Sequence, residues 1–270
     1  MSEAEYEGLA TGLRVIPGQW RPHHRFEQIA WISPAWPSQD YLWLDFPEGI
    51  FTEQGALYMS HRSPGYPLPF PDLPAAPRVT TEKGITFRRT LPNGVSFGGS
   101  VEAGSSDSVS LLLYIENGSG KPLRRITLQT CLFLRACAEF SGFHAERKFV
   151  YLSDGRWRRF KEAEKCGLPE HPGGTRVGWR GGPAIATLPV MVTVSDRAER
   201  LVAFTWYGDT YSLIGNTRRP CMHADPHFTD LLPGKRGEIH GEVIFFEGNL
   251  ESFTEWFQKK WDASKLRAAQ

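Results

Sequence analysis

The sequence is short of cysteine, of net charge and of long apolar runs, and each shortage removes a class of function. Its four cysteines, Cys131, Cys137, Cys166 and Cys221, form no CxxC pair and no dense framework in 270 residues. They read as reduced thiols, the expectation for a cytoplasmic protein, and a chain of this length needs no cross-link to build a core. Lys plus Arg number 31 against 30 for Asp plus Glu, so no field of one sign gathers a polyanion and no nucleic-acid partner is expected. The opening stretch, MSEAEYEGLATGLRVIPGQW, begins acidic and holds no apolar run of signal-peptide or bilayer length, so no membrane partner is expected either. Also missing are GxxxxGK[ST], a GxGxxG opening a helix after a strand, GxSxG and HExxH. Nucleotide-dependent and serine-hydrolase chemistry thereby lose their usual signatures.

What is present is aromatic and turn-rich: 13% Phe, Trp and Tyr, with 27 Gly and 20 Pro. That composition suits many strands joined by turns. Residues 1–80 carry proline and aromatics throughout, and proline withholds a backbone donor, which predicts long loops and edge strands there. From residue 84 apolar residues recur with period two. A hairpin is predicted at GITFRRTLPNGVSFGGSVEA, with Asn93-Gly94 at its turn and both central residues able to take positive φ. The runs with Val109, Leu111, Leu113 and Ile115, and with Ile126, Leu128, Leu132 and Leu134, are predicted to pair as antiparallel neighbours. Further strands are predicted at 148–153, 184–195, 199–207 and 238–247. In the tail, Leu250, Phe253, Phe257 and Trp261 recur at helical spacing behind a capping Asn249. The prediction is one domain over 1–270: a loop-rich part (1–80), a large antiparallel β-sandwich (84–247) and a C-terminal helix (249–268).

The densest chemistry lies in NTRRPCMHADPHF, residues 216–228. His223, Asp225 and His227 alternate, and Pro226 disfavours a helix, so an extended segment would turn all three to one side. Two uses are open. As an acid–base pair, His223 would move a proton while Asp225 sets its tautomer. As a metal site, His223, Asp225 and His227 would hold a divalent ion, with His61, His240, Asp45 or Glu242 adding a ligand; no cofactor is otherwise required. Arg62, beside His61, and Arg218 and Arg219 are candidates to bind a substrate carboxylate, because a guanidinium matches two oxygens at once. Arg180 with Trp179, together with Trp20 and Trp206, could give a sugar hydrogen bonds and stacking surface, and Tyr211 is a candidate base.

At WLDFPEGIF, LPNGVSFGGS, WRGGP and TWYGDTYSLIGNTRRPCMHADPHFTDLLPG the chain resembles an uncharacterised bacterial family of similar length. Its architecture also resembles the galactose mutarotase-like super-sandwich, which houses sugar epimerases, polysaccharide lyases and glycoside-hydrolase domains. That resemblance implies a carbohydrate ligand, and for a mutarotase it implies histidines paired with a glutamate base, which no motif here singles out. The expectation is a carbohydrate-active enzyme performing acid–base chemistry on a carboxylate-bearing sugar, as in β-elimination. His223 or Tyr211 would be the base, His61 the acid, and Arg62, Arg218 or Arg219 the carboxylate partner. A metal-dependent sugar hydrolase, an isomerase or epimerase, and a non-catalytic carbohydrate-binding protein are the alternatives. Long-looped sandwiches often pair, so a homodimer is also admitted.

Overall fold

The computed structural model describes residues 12–19, 28–61, 69–74, 76, 78–142, 145–163, 165, 175–178, 184–216 and 219–268. Among them are the strands β1 (Val15–Pro17), β2 (Ile29–Ile32), β3 (Leu42–Thr52), β4 (Gly55–Met59), β5 (Arg78–Thr80) and β6 (Gly84–Thr90). Next come β7 (Val95–Ala103), β8 (Ser108–Asn117), β9 (Thr127–Phe133), β10 (Lys148–Leu152), β11 (Trp157–Arg159) and β12 (Thr175–Val177). The last are β13 (Ala184–Val194), β14 (Arg200–Thr205), β15 (Thr210–Gly215), β16 (Cys221–Pro226) and β17 (Arg236–Glu247). The protein is mainly β, and its pairings are antiparallel except for β12 with β15.

Hydrogen bonding runs β1-β2-β3-β9-β16-β15 through one layer and β13-β14-β17-β8-β7-β6-β5 through the other, with β12 joining them. One core cluster takes side chains from both: Leu44, Phe46, Leu132, Met222 and Leu213 from the first, Phe97, Leu113, Phe204 and Val243 from the second. The two layers therefore face each other, each contributing its alternate apolar residues.

The period-two runs at Val109–Ile115 and Ile126–Leu134 are buried as expected, but they are not neighbours. β8 pairs with β7 and β17, whereas β9 pairs with β3 and β16. Both runs are apolar on one face because they oppose each other across the core, and alternation records burial, not the identity of the neighbour. The hairpin of β6 and β7 forms, with a turn of four residues in place of two. The Leu91 N–H bonds Val95 O at 2.8 Å, the Gly94 N–H bonds Leu91 O at 2.9 Å, and of Asn93 and Gly94 only Gly94 takes positive φ, at 88°.

The helix Leu250–Ala268 begins where expected, with Asn249 Oδ1 accepting the Ser252 N–H at 2.9 Å. Phe253 and Phe257 are fully buried against Leu188, Val190, Val192, Leu201 and Ile244, on the outer face of β13, β14 and β17. No helix among the described residues is long and apolar enough to cross a membrane. The outward side chains of the other layer, on β3, β9, β16 and β15, include the buried polar groups Asp45, His223 and Asp225.

Candidate acid–base site

Alternation along β3, β9 and β16 sends Leu44, Leu132, Met222 and Ala224 into the core and turns the residues between them outward. Those residues are Asp45, Gln129, Cys131, Cys221, His223 and Asp225. The ladder aligns them, with Asp45 opposite Cys131 and Gly49 opposite Gln129, while on β15 Ile214 lies opposite His223 and Ser212 opposite Asp225.

Glu48 joins this row through an irregularity. Proline was expected to keep residues 1–80 at sheet edges, yet β3 is interior, paired on both sides by β2 and β9. Its register with β9 shifts between Asp45 and Gly49, and Pro47, with no N–H to offer, sits inside that shift. Phe46 and Ile50 still enter the core, whereas Glu48 turns to the face of Asp45 and accepts from Gln129 Nε2 at 2.6 Å. His61 arrives just past β4, which β3 pairs and so holds alongside.

These groups form one connected line. Ser60 Oγ donates to Asp45 Oδ2 at 2.7 Å and lies 3.1 Å from His61 Nδ1. A hydroxyl has one proton, so with it given to Asp45 the serine oxygen accepts from His61 Nδ1–H. His61 Nε2 then faces Glu48 Oε1 at 3.4 Å, placed to share a proton carried by either the imidazole or the carboxyl. The other carboxylate oxygen, Glu48 Oε2, lies 3.8 Å from His223 Nδ1, and Asp225 Oδ1 lies 3.9 Å from the same nitrogen. Glu48 thus stands between two imidazoles. His223 Nδ1 is buried with no hydrogen-bond partner among the described residues, while Nε2 faces Cys221 Sγ at 3.6 Å.

The electrostatics follow from burial and contact. Burial pushes the Asp225 carboxyl up to about 7, with His223, the Thr130 N–H at 3.0 Å and Ser212 opposing and Glu48 adding to it. Burial pulls the His223 imidazolium down, but the Cys221 sulfur, Asp225 and Glu48 outweigh it and hold its pKa at about 9. The Cys221 thiol is pushed down chiefly by the hydrogen bond from Cys131, with His223 and Lys148 assisting against burial, while Cys131 is pushed up and keeps the proton. Lys148, lowered by burial, donates to Asn216 O at 2.9 Å and Arg219 O at 3.1 Å.

Of the residues singled out in the sequence, the structure brings His61, His223 and Asp225 together. His227 does not join them: past the end of β16 it bridges to Thr127, and its Nδ1 lies 3.1 Å from Asp209 O. Among the described residues the clusters with metal-ligand spacing are Asp45–Glu48–His61 and Cys131–Cys221–His223, so the expected trio His223, Asp225 and His227 is not assembled. Tyr211 lies beside His227, ring centres 6.0 Å apart, and edges a recess of about 40 Å³ shared with Asp225, Gln129 and Phe51, room for a water and not for a sugar ring. Trp206 is no stacking surface. Its ring is fully buried, parallel to Phe46 at 5.9 Å, with Nε1 on Thr130 Oγ1 at 3.3 Å, because the strand end that carries it points into the core. Arg219 is exposed. Trp20, Arg62, Trp179, Arg180 and Arg218 lie outside the described residues.

Sequence reasoning missed Glu48, Gln129, Cys131, Cys221 and Lys148. A proline within an alternating run, as in LDFPEGIF, signals a bulge that re-aims a neighbour, and that signal could have found Glu48. Cys221 follows from the alternation that places His223 and Asp225, being two residues before His223; Gln129, Cys131 and Lys148 depend on which strands pair, which their local sequence does not carry.

No family model matches the chain, and no curated protein does. Among solved structures it is similar to a candidate aldose 1-epimerase from Escherichia coli K12, at 8% identity and TM-score 0.46 over 87% of this chain and 100% of that one. An aldose epimerase homologue from C. elegans aligns at 9% identity and TM-score 0.41, over 89% and 100% of the two chains. A galactose mutarotase related enzyme from Lactobacillus acidophilus aligns at 11% identity and TM-score 0.42, over 88% and 98%. At these scores the likeness carries no argument about chemistry, which rests on the side chains above.

Proposed function

We propose that the protein is a carbohydrate-active enzyme that exchanges protons at the anomeric centre of a cyclic aldose, interconverting its α and β forms. The observation that supports this is Glu48, a carboxylate held by Gln129 between the imidazoles of His61 and His223. Ring opening of a hemiacetal needs a base for the O1 proton and an acid for the ring oxygen, and a carboxylate flanked by imidazoles supplies both. Glu48 takes the proton from O1–H as an imidazolium gives one to the ring oxygen. The C1–O5 bond breaks to the open aldehyde, C1 turns, and the steps reverse on the other face. Asp225, whose pKa lies at about 7, keeps a second exchangeable proton beside His223 near neutral pH. The sugar approaches from the side of His61, the most exposed member, at 14% against 6% for His223.

This reading is set ahead of β-elimination for an electrostatic reason. An eliminating enzyme must neutralise its substrate's carboxylate, and the charge around the described members of the site has the wrong sign for that. Around His61 and His223 stand three carboxylates, Asp45, Glu48 and Asp225, which repel an acidic sugar and tolerate a neutral one.

Polarimetry on a panel of freshly dissolved aldoses tests the reading. Catalysed decay of optical rotation is expected for at least one sugar, falling about 10²- to 10⁴-fold in Glu48→Gln, the range for a lost acid–base group. Unaccelerated mutarotation of every sugar, or full activity in Glu48→Gln, would overturn it. New double-bond absorbance from uronic-acid oligosaccharides would return elimination to first place.

A further inference from the structure

On the far side of His223 from Glu48 lies chemistry that proton transfer at a sugar does not use. Cys131, Cys221 and His223 offer ligand atoms that all lie within 4.8 Å of one another, and all three residues are buried. We propose that these three residues bind a zinc-like, borderline-soft divalent cation, leaving a fourth position for an exogenous ligand.

Three observations carry this. The first is spacing: a tetrahedral ion about 2.3 Å from sulfur and about 2.0–2.1 Å from nitrogen separates those two donors by about 3.6 Å. Cys221 Sγ and His223 Nε2 are 3.6 Å apart. The second is the orientation of the imidazole. Its Nδ1 faces Glu48 and Asp225 at 3.8 and 3.9 Å, and two carboxylates favour a proton on that nitrogen, so the proton an incoming ion displaces is the one on Nε2, toward the sulfurs. A carboxylate behind a ligating histidine is the usual way its tautomer is set. The third is charge: two thiolates and a neutral imidazole on a divalent cation make a neutral centre, which a buried position tolerates without a counter-ion. Binding displaces to solvent the protons held between the two sulfurs and on His223 Nε2.

A disulfide is the competing use of the two cysteines, and the register disfavours it. Cys221 lies opposite Phe133, two residues along β9 from Cys131, so the cysteines are diagonal neighbours. Such pairs have Cα atoms about 7–8 Å apart, beyond what a disulfide spans without backbone movement. A shared ion has no such restriction.

The proposal shares His223 with the anomeric chemistry, and its test reads metal alone, so that either can fail without the other. The full-length protein, stripped with chelator under reducing conditions, is titrated with Co²⁺. One equivalent per chain is expected, with thiolate-to-cobalt charge transfer in the near ultraviolet and intense tetrahedral visible bands, all displaced by Zn²⁺. The signal should be lost in Cys131→Ser and in Cys221→Ser and kept in Cys137→Ser, which removes a buried cysteine outside the cluster. Weak octahedral bands without charge transfer would put the ion on Asp45–Glu48–His61 and overturn the proposal, as would no binding, or a signal that survives both cluster variants. Should the serine variants fail to fold, X-ray absorption of the zinc-loaded native chain decides: two sulfur scatterers at about 2.3 Å support the site, and one or none refutes it.

Discussion

Replacing Asp225 by asparagine should stabilise the protein at neutral and alkaline pH, with a gain that grows with pH. The carboxyl is buried on β16, accepts from the Thr130 N–H at 3.0 Å, and has its pKa pushed from 3.8 to about 7, chiefly by burial. A pKa higher in the folded than in the unfolded chain means that folding favours the protonated form. Its contribution is fully present below about 3.8 and is lost as pH rises through about 7. At about 1.4 kcal/mol for each tenfold change in proton affinity, the full difference is about 4 kcal/mol. Asparagine keeps the shape and an oxygen for Thr130 without the charge. The titration of His223 does not cancel, because the Asp225 charge helps to raise it, so the comparison is read below about pH 9. Urea unfolding of both, extrapolated to water at a series of pH values, should give near-equal stability at about pH 4 and a lead of about 4 kcal/mol for Asp225→Asn above about pH 8. A difference that does not change with pH, or one that favours the wild type throughout, would refute the reasoning.

Phe253→Ala should remove a fully buried ring from the seam between the C-terminal helix and β13, β14 and β17, costing about 3–5 kcal/mol in chemical unfolding. Trp206→Phe should lose about 1 kcal/mol with the Nε1–Thr130 hydrogen bond while leaving KM for any active sugar unchanged; a raised KM would return that ring to the binding surface. Lys148→Met strips Asn216 O and Arg219 O of a shared donor and should cost about 2–3 kcal/mol by thermal or urea unfolding.

The sequence makes some of this legible and hides the rest for physical reasons. His223 and Asp225 can be placed on one face because Pro226 excludes a helix and an extended chain alternates. The same argument fails at His227, where the strand has ended and the alternation with it. The C-terminal helix is legible because capping and a stripe of Leu, Phe and Trp are local properties. Glu48 is hidden because strict alternation assigns it to the face of Phe46, and only the register shift at Pro47 turns it outward. Cys131 is hidden because it meets His223 through the pairing of β9 with β16, strands far apart in sequence. Pairing partners are chosen by the whole sandwich, which also explains why β8 and β9, alike in pattern, lie in opposite layers.

The claim that Glu48 and His61 share one proton and act as a unit is tested most directly by a double-mutant cycle on kcat. Glu48→Gln, His61→Gln and the double variant are compared with wild type by saturation-transfer NMR of anomer exchange, on the best sugar from the polarimetric panel. Groups that act together do not lose activity additively. The account predicts a double variant no slower than the slower single one; losses that multiply, or a single variant with wild-type kcat, would contradict it.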